Sequence, residues 1–460
     1  MNTLLLAILA YIASQIAIGI WYSRRIASES DYILAGRSLG PGLVAFSVFA
    51  TFFGSEAVTA SAAAIYDKGL GGAIVDPLAY AAAIVIVGLF FAARLRAKEL
   101  TTFADLFRNR YSPGVEKLVV LVLLPGSLFW AAAQIRVFGV VLESNSAIGF
   151  SNALLIAAVA VGVFSVIGGL MADSVTDTIQ GCVVIVGLLI LAGAVAAVAG
   201  GPVAAISSAA ANGRVSLLGD DTLLTLLEKI AIPVCGTIVA VELISRFLGA
   251  RNAGIAGRGT TGGGLIYLMV GLVPIYLGLI GPTVMPDLKE TEELVPRLAQ
   301  AFLPGFLYAV FVGAIISAIL STVHSTLHAP AAQVSHNVIS RLLPDLTAQA
   351  RLWSVRLTVA VLTVVAYLLA VNSDSIKELV ETASAFGSAG VFVTLMFALF
   401  TNFGGAASAY GAIVGGIVVW AGARYGLGIA TPYLLALATS AMVYVALGFA
   451  VRDASARAAT

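Results

Sequence analysis

Apolar residues fill this chain in long runs that short polar clusters separate. About thirteen runs stand out, centred on residues 3–23, 39–66, 70–93, 116–142, 150–169, 174–199, 223–246, 260–281, 300–338, 353–371, 377–401, 408–424 and 431–450. Nearly all are long enough to cross about 30 Å of hydrocarbon as a helix, so the pattern predicts an all-α integral membrane protein with about 13 transmembrane helices. The second run breaks its own pattern. At its centre, Ala50-Thr51-Phe52-Phe53-Gly54-Ser55-Glu56 puts a glycine, two hydroxyls and a carboxylic acid where hydrocarbon belongs. An acid at bilayer depth costs roughly 2.5–3.5 kcal/mol, so Glu56 is expected to face protein or a water-filled cavity. A helix interrupted there exposes carbonyls on one half and N–H groups on the other, ready ligands for a cation and an anionic group.

Two further runs carry structured polar positions. In the seventh, Ile232-Pro233-Val234-Cys235-Gly236-Thr237 places proline and glycine close together inside apolar sequence, which predicts a second break or a plain kink. The second lies five runs after the first. That spacing predicts an inverted repeat of two five-helix halves with the binding site between them. In the ninth run Ala314, Ser317, Ala318, Ser321 and Ser325 fall on one helical face, opposite Ile316, Ile319, Leu320 and Val323. Such a face permits close helix packing, with hydroxyls bonded back to their own helix, or offers oxygen ligands to a hard cation such as sodium.

Composition agrees with the pattern. Hydrophobic residues make up 60% and charged residues 11% of the 460, against about 25% charged in soluble domains. Mean hydropathy is +1.01. The net charge of +1 gives no reason to expect a nucleic-acid partner. The first run has no basic leader or small-residue cleavage pattern, so it reads as a retained span in the lipid bilayer. Most lysines and arginines fall on one side if the N-terminus lies outside, which predicts a multi-pass protein of the cytoplasmic membrane with its C-terminus in the cytoplasm. The connection from Arg94 to Glu116 is basic and amphipathic and is expected at the membrane surface. Asp287, Glu290, Glu292 and Glu293 form an acidic outer loop that is either simply solvated or a means of concentrating cations at a mouth. Cys182 and Cys235 lie in apolar runs and predict neither a disulfide nor a metal site.

Several motifs resemble one family. Gly168-Gly169-Leu170-Met171-Ala172-Asp173-Ser174-Val175-Thr176-Asp177-Thr178-Ile179-Gln180 is similar to the Gly-Gly-Leu-x-Ala-x-x-x-Thr-Asp-x-x-Gln signature of the sodium:solute symporters. Asp31 to Gly40, Arg246 to Arg251 and Ala318 to Thr322 also resemble that family's segments, in the same order. The resemblance implies a leucine-transporter-like inverted repeat that moves a solute with sodium by alternating access, with five-helix repeats at 39–199 and 223–401, one extra span at 1–23 and two more at 408–450, all within one transmembrane domain of 1–460. It implies a sodium site made of the carbonyls of Ala50, Phe53 and Ala318 and the hydroxyls of Ser321 and Thr322. It places Asp177 on the sodium exit path, although the same residue could cap a helix, and Asp76 where sugar-carrying members bind substrate, or as a stabiliser of a local kink. Phe129-Trp130-Ala131 and Leu288 to Glu293 look like the choline-transporting branch. Val239 to Ser245 lacks that branch's tryptophan, which leaves an aromatic cage for a quaternary amine in doubt.

The remaining polar residues are less specific. Ser55 and Glu56 lie at the break; Glu56 could bind an amine or cap the half-helix it begins. Glu242 stands four residues before Arg246, the spacing of an intrahelical ion pair, with contact to the substrate as the alternative. His324 occupies a position where many members have aspartate and is taken as a substrate-binding candidate, with His328 one turn on. Arg136 inside the fourth run is expected to extend towards the interface. Glu56 and Asp76 favour an amine-bearing or zwitterionic solute. No nucleophile–base pair or metal-ligand set supports an enzyme, and no cofactor beyond sodium as coupling ion is expected. The alternatives are a proton-coupled symporter and a transporter-like solute sensor acting on a partner protein. The sequence leaves the oligomeric state open.

Overall fold

The computed structural model describes residues 3–144, 148–218, 221–373 and 385–458. Among the described residues all regular structure is helical, and extended backbone pairs at one isolated parallel bridge, Leu39 with Ala250. Eight helices are long and apolar enough to cross a membrane, nine when one bent pair is taken as a single span. Large apolar side chains such as Leu89, Leu189, Leu357 and Val418 are more than half exposed on the outside. That is the surface a bilayer requires. The expected run at 377–401 is helical over Ser388–Phe400; residues 377–384 lie outside the described residues.

The elements that build the centre are α1 (Thr3–Ser23), α2 (Pro41–Phe52), α3 (Ser55–Lys68), α4 (Pro113–Ser144), α5 (Phe150–Ala199), α6 (Leu223–Val239), α7 (Val241–Leu248), α8 (Ala253–Val284) and α9 (Gly305–Gln333). The expected interruption of the second run is present: α2 stops at Phe52, and Phe53 and Gly54 leave helical geometry before α3 begins. The second break is displaced from its expected place. Helix α6 continues through Pro233, and the chain bends by 41° at Ala240, whose ψ of 115° is extended. Pro233 removes a single N–H from the helix ladder, whereas an extended ψ at Ala240 ends the ladder altogether.

The expected runs 150–169 and 174–199 are the two helical segments of α5, which meet at Gly169, where the backbone leaves helical geometry. Gly169 adopts φ 66° and ψ 173°, which side-chain-bearing residues avoid. A Cβ there would also lie 3.2 Å from the Tyr32 carbonyl. The junction thus depends on glycine twice over. The segment expected at the membrane surface packs instead against protein. Phe103, Leu106 and Phe107 are buried, Asp105 accepts the N–H groups of Thr101 and Thr102 at 3.0 Å, and Asn337 donates to Asp105 at 2.9 Å and Glu116 at 2.8 Å. Two acids buried this way need donors that lipid cannot supply.

Two quoted motifs join each other. Leu39 N–H donates to the Gly249 carbonyl at 3.1 Å, and Arg251 N–H donates to the Leu39 carbonyl at 3.0 Å. The start of α2 is thereby fastened to the end of α7. Helix α8 lies along α2 and α3 on a face of small residues, which lets backbones approach closely. Replacing Gly263 by alanine would bring a Cβ to 2.7 Å from the Ala45 carbonyl, whereas at the adjacent Gly262 the nearest atom would be 3.6 Å away. Gly263→Ala is expected to lower stability by about 1–3 kcal/mol and Gly262→Ala to leave it nearly unchanged, measured by thermal unfolding of the purified protein in detergent.

Candidate functional site

The break after α2 is where the site begins. The last carbonyls of a helix lack intrahelical donors, and here Phe53 N–H closes only the Phe49 carbonyl, at 2.8 Å. Thr322 of α9 reaches across to this end, its hydroxyl lying 3.5 Å from the Ala50 carbonyl. Ala318 stands one turn earlier on α9, buried like Phe53. Ser321 turns towards α5 and donates to the carboxylate of Asp177, which also accepts from Ser47 of α2 at 2.5 Å. One buried acid therefore joins α2, α5 and α9.

Beside Asp177 lies a charged cluster without exposed surface. Arg246 of α7 pairs with Asp173, lies 3.9 Å from Asp177, and donates from Nε to the Thr51 hydroxyl at 2.9 Å and from Nη2 to Ser325. His324 Nδ1 is 2.8 Å from Asp173 Oδ1, and its ring stacks on His328 with centroids 5.3 Å apart. The rest of the hydroxyl face is engaged too, Ser317 donating to Tyr11 of α1 at 2.5 Å. This placement corrects two expectations. Arg246 pairs with Asp173 and not with Glu242, because the bend at Ala240 sends Glu242 to α4, where it accepts from Ser127. His324 is fully buried in the ion-pair cluster and is absent from the cavity lining, so the structure does not bring it to a solute. Arg136 donates to the Ala370 carbonyl at 3.1 Å and covers the Phe150 ring rather than extending outwards.

On the other side of the break lies a cavity of about 660 Å³. Its floor holds Glu56, Asp76 and Glu242 among Phe52, Tyr80 and Trp130, and Asp67, Thr291 and Glu292 of the acidic-loop side stand at its mouth. Glu56 is the second residue of α3, and its carboxylate accepts Trp130 Nε1–H at 2.9 Å and Gln134 Nε2–H at 2.5 Å. Its side chain folds over Gly54, where a Cβ would sit 2.4 Å from the carboxylate. Asp76 accepts the Tyr267 hydroxyl at 2.8 Å. Ser55 is buried behind Glu56, 3.4 Å from Gln134 Oε1, and does not line the cavity. Among the described residues no arginine, lysine or histidine forms an ion pair with Glu56, Asp76 or Glu242. Lys68, Lys229 and Arg424 also line the cavity, Lys229 paired with Asp221, while Glu56, Asp76 and Glu242 are held by neutral donors beside aromatic walls, an arrangement that suits an organic cation.

Glu242 stands at the same offset after its break as Glu56 after its own, two residues past Ala240 and Gly54 respectively, a match that emerges only with the second break placed at Ala240. The donors Trp130 and Gln134 share a helical face with Ser127, a regularity visible only once acids are placed opposite it.

Comparison with known proteins adds the following. A family model described as "Sodium:solute symporter family" matches residues 32–419. The chain is 24% identical over 434 residues to the high affinity choline transporter 1 of Homo sapiens, covering 89% of this chain and 74% of that protein. It is 26% identical over 298 residues to the sodium/pantothenate symporter of Haemophilus influenzae, covering 62% of this chain and 60% of that protein. The solved structure of a Na⁺-coupled sialic acid symporter, substrate-bound and outward-open, superposes with a TM-score of 0.86 over 97% of this chain and 96% of that one at 17% identity. That likeness bears out the expected leucine-transporter-like fold.

Breaking a buried ion pair by removing one partner costs about 3–5 kcal/mol, whereas replacing both with apolar groups is often neutral. Asp173→Asn is expected to cost about 3 kcal/mol in thermal unfolding of the purified protein, and Arg246→Met with Asp173→Leu to recover more than half of that loss. A double variant no more stable than Asp173→Asn would show that Arg246 is held by its other contacts.

Proposed function

The chain belongs to the sodium:solute symporter family and moves a small solute together with sodium, and we propose that the solute is an amine-bearing organic cation drawn into the cell across the cytoplasmic membrane. The observation that carries this reading is the pairing of Glu56 and Asp76 with neutral donors only, on the floor of a cavity walled by Phe52, Tyr80 and Trp130. Choline, named for the human relative, is itself an organic cation. Glu292 at the mouth extends the same negative field outwards.

Sodium in this reading is bound by the carbonyls of Ala50, Phe53 and Ala318 and the hydroxyls of Ser321 and Thr322. The 3.5 Å approach of Thr322 to the Ala50 carbonyl supports it, since a cation there replaces a weak bond with full oxygen coordination. Asp177 orients the Ser321 hydroxyl by accepting its proton, which leaves the oxygen lone pairs for the ion, and receives sodium on its way inwards. Sodium joins α2 to α9 and favours the state open on the side of the 282–297 loop, so solute affinity rises with sodium bound. The Arg246–Asp173 pair closes the opposite side. We assign residues 39–199 and 223–401 to two five-helix repeats of opposite orientation, 1–23 and 408–450 to added helices, and the N-terminus to the outside. The matching positions of Glu56 and Glu242, each the second residue of the helix after a break, support this division.

Ser321→Ala combined with Thr322→Ala is expected to raise the sodium concentration for half-maximal uptake about tenfold or more in proteoliposomes. Unchanged sodium dependence in that variant would remove the assigned site. Uptake driven by an imposed sodium gradient at equal pH, and absent under a pH gradient without sodium, is the expected outcome for coupling. Proteoliposomes that respond to the pH gradient alone would replace sodium by protons in this scheme.

A further inference from the structure

The cavity contains a second acid at a defined distance from the first. Glu56 and Glu242 each occupy the second residue of a half-helix that starts at a mid-membrane break, α3 after Gly54 and α7 after Ala240. The N-terminal end of a helix favours a negative side chain, so both positions are suited to hold carboxylates. Both acids take their donors from one face of α4. Ser127 donates to Glu242, while Trp130 and Gln134 donate to Glu56. With a rise of 1.5 Å per residue, the centre of the Glu56 donors lies about 7 Å along α4 from the donor to Glu242.

A third, independent feature faces the same space. Thr237 lines the cavity one turn before the second break, is 2% exposed, and its hydroxyl has no hydrogen-bond partner. A buried hydroxyl left unpaired carries a desolvation cost of about 1–3 kcal/mol that a bound donor relieves. A singly charged amine held between Glu56 and Asp76 would leave both Thr237 and Glu242 unanswered.

We infer that the solute is a linear dication, an α,ω-diamine whose two ammonium groups lie one on Glu56 with Asp76 and the other on Glu242 with Thr237, its methylene chain running along α4 past Phe52 and Trp130. The inference rests on the organic-cation reading above and narrows it. The ammonium groups donate to acids already fixed by neutral donors, so binding needs little reorganisation. The chain between them is apolar and lies on aromatic walls. Length is then the discriminating property: a diamine too short spans one acid pair only, and one too long must fold inside the cavity.

The test uses the full chain reconstituted in proteoliposomes with an inward sodium gradient. Competition against labelled putrescine uptake is measured for ethane-, propane-, butane-, pentane- and hexane-diamine, and for butylamine and choline. The expected result is sodium-driven putrescine uptake, an apparent affinity maximal at the butane or pentane diamine, and butylamine weaker than its diamine counterpart by about tenfold or more. Glu242→Gln, which keeps an acceptor for Ser127, is expected to bring butylamine and putrescine within about twofold of each other as competitors. A wild-type protein that ranks butylamine or choline level with the diamines, or shows no optimum in chain length, overturns the dication while leaving the cation reading intact. A protein that takes up no amine, yet is stabilised in thermal unfolding by sodium with a neutral or anionic solute, overturns both. The wild-type length series decides the matter even if Glu242→Gln fails to fold.

Discussion

A helix opened at the depth of the bilayer is the constraint around which this molecule is built. Backbone groups freed at Phe53 and Gly54 have no water to turn to, so other helices must supply partners. Thr322 approaches the Ala50 carbonyl on one side of the opening, and Trp130 and Gln134 hold the Glu56 carboxylate on the other. On the proposed reading the same opening presents oxygen to a cation on one face and a carboxylate to a solute on the other, within a few residues of chain. Coupling two ligands follows from this proximity, because anything that moves the opening is felt by both.

The second break repeats this logic with a different side chain. At Ala240 the chain bends, Glu242 follows two residues on, and α4 again provides the donor. Meanwhile Arg246, one turn further, turns away from the cavity into a cluster with Asp173 and His324. A helix that begins with an acid facing the solute and continues with a guanidinium facing the closed side separates the two charges by function, and that is why the i,i+4 pair suggested by their spacing does not form.

The sequence disclosed those features that disturb a simple pattern. An acid and a glycine inside an apolar run located the first opening, and small residues at three- and four-residue spacing located the face of α9 that meets it. Features that leave a pattern intact were not legible. Pro233 resembles a break, yet its helix runs on to Val239. His324 was misplaced for a related reason: its helix was right, but which side faces the cavity and which faces Asp173 depends on where α5 and α7 lie. The segment 94–116 read as amphipathic because its polar residues have protein partners such as Asn337, which are distant in sequence.

The backbone clasp between Leu39 and the Gly249–Arg251 strand of chain bears on how force travels through the protein. It joins the foot of one interrupted rod to the foot of the other without using any side chain, so tilting either rod tilts its fellow. On the proposed reading, an ion held on the first and a cargo held against the second act on a single lever, and the stroke that discharges one displaces the other.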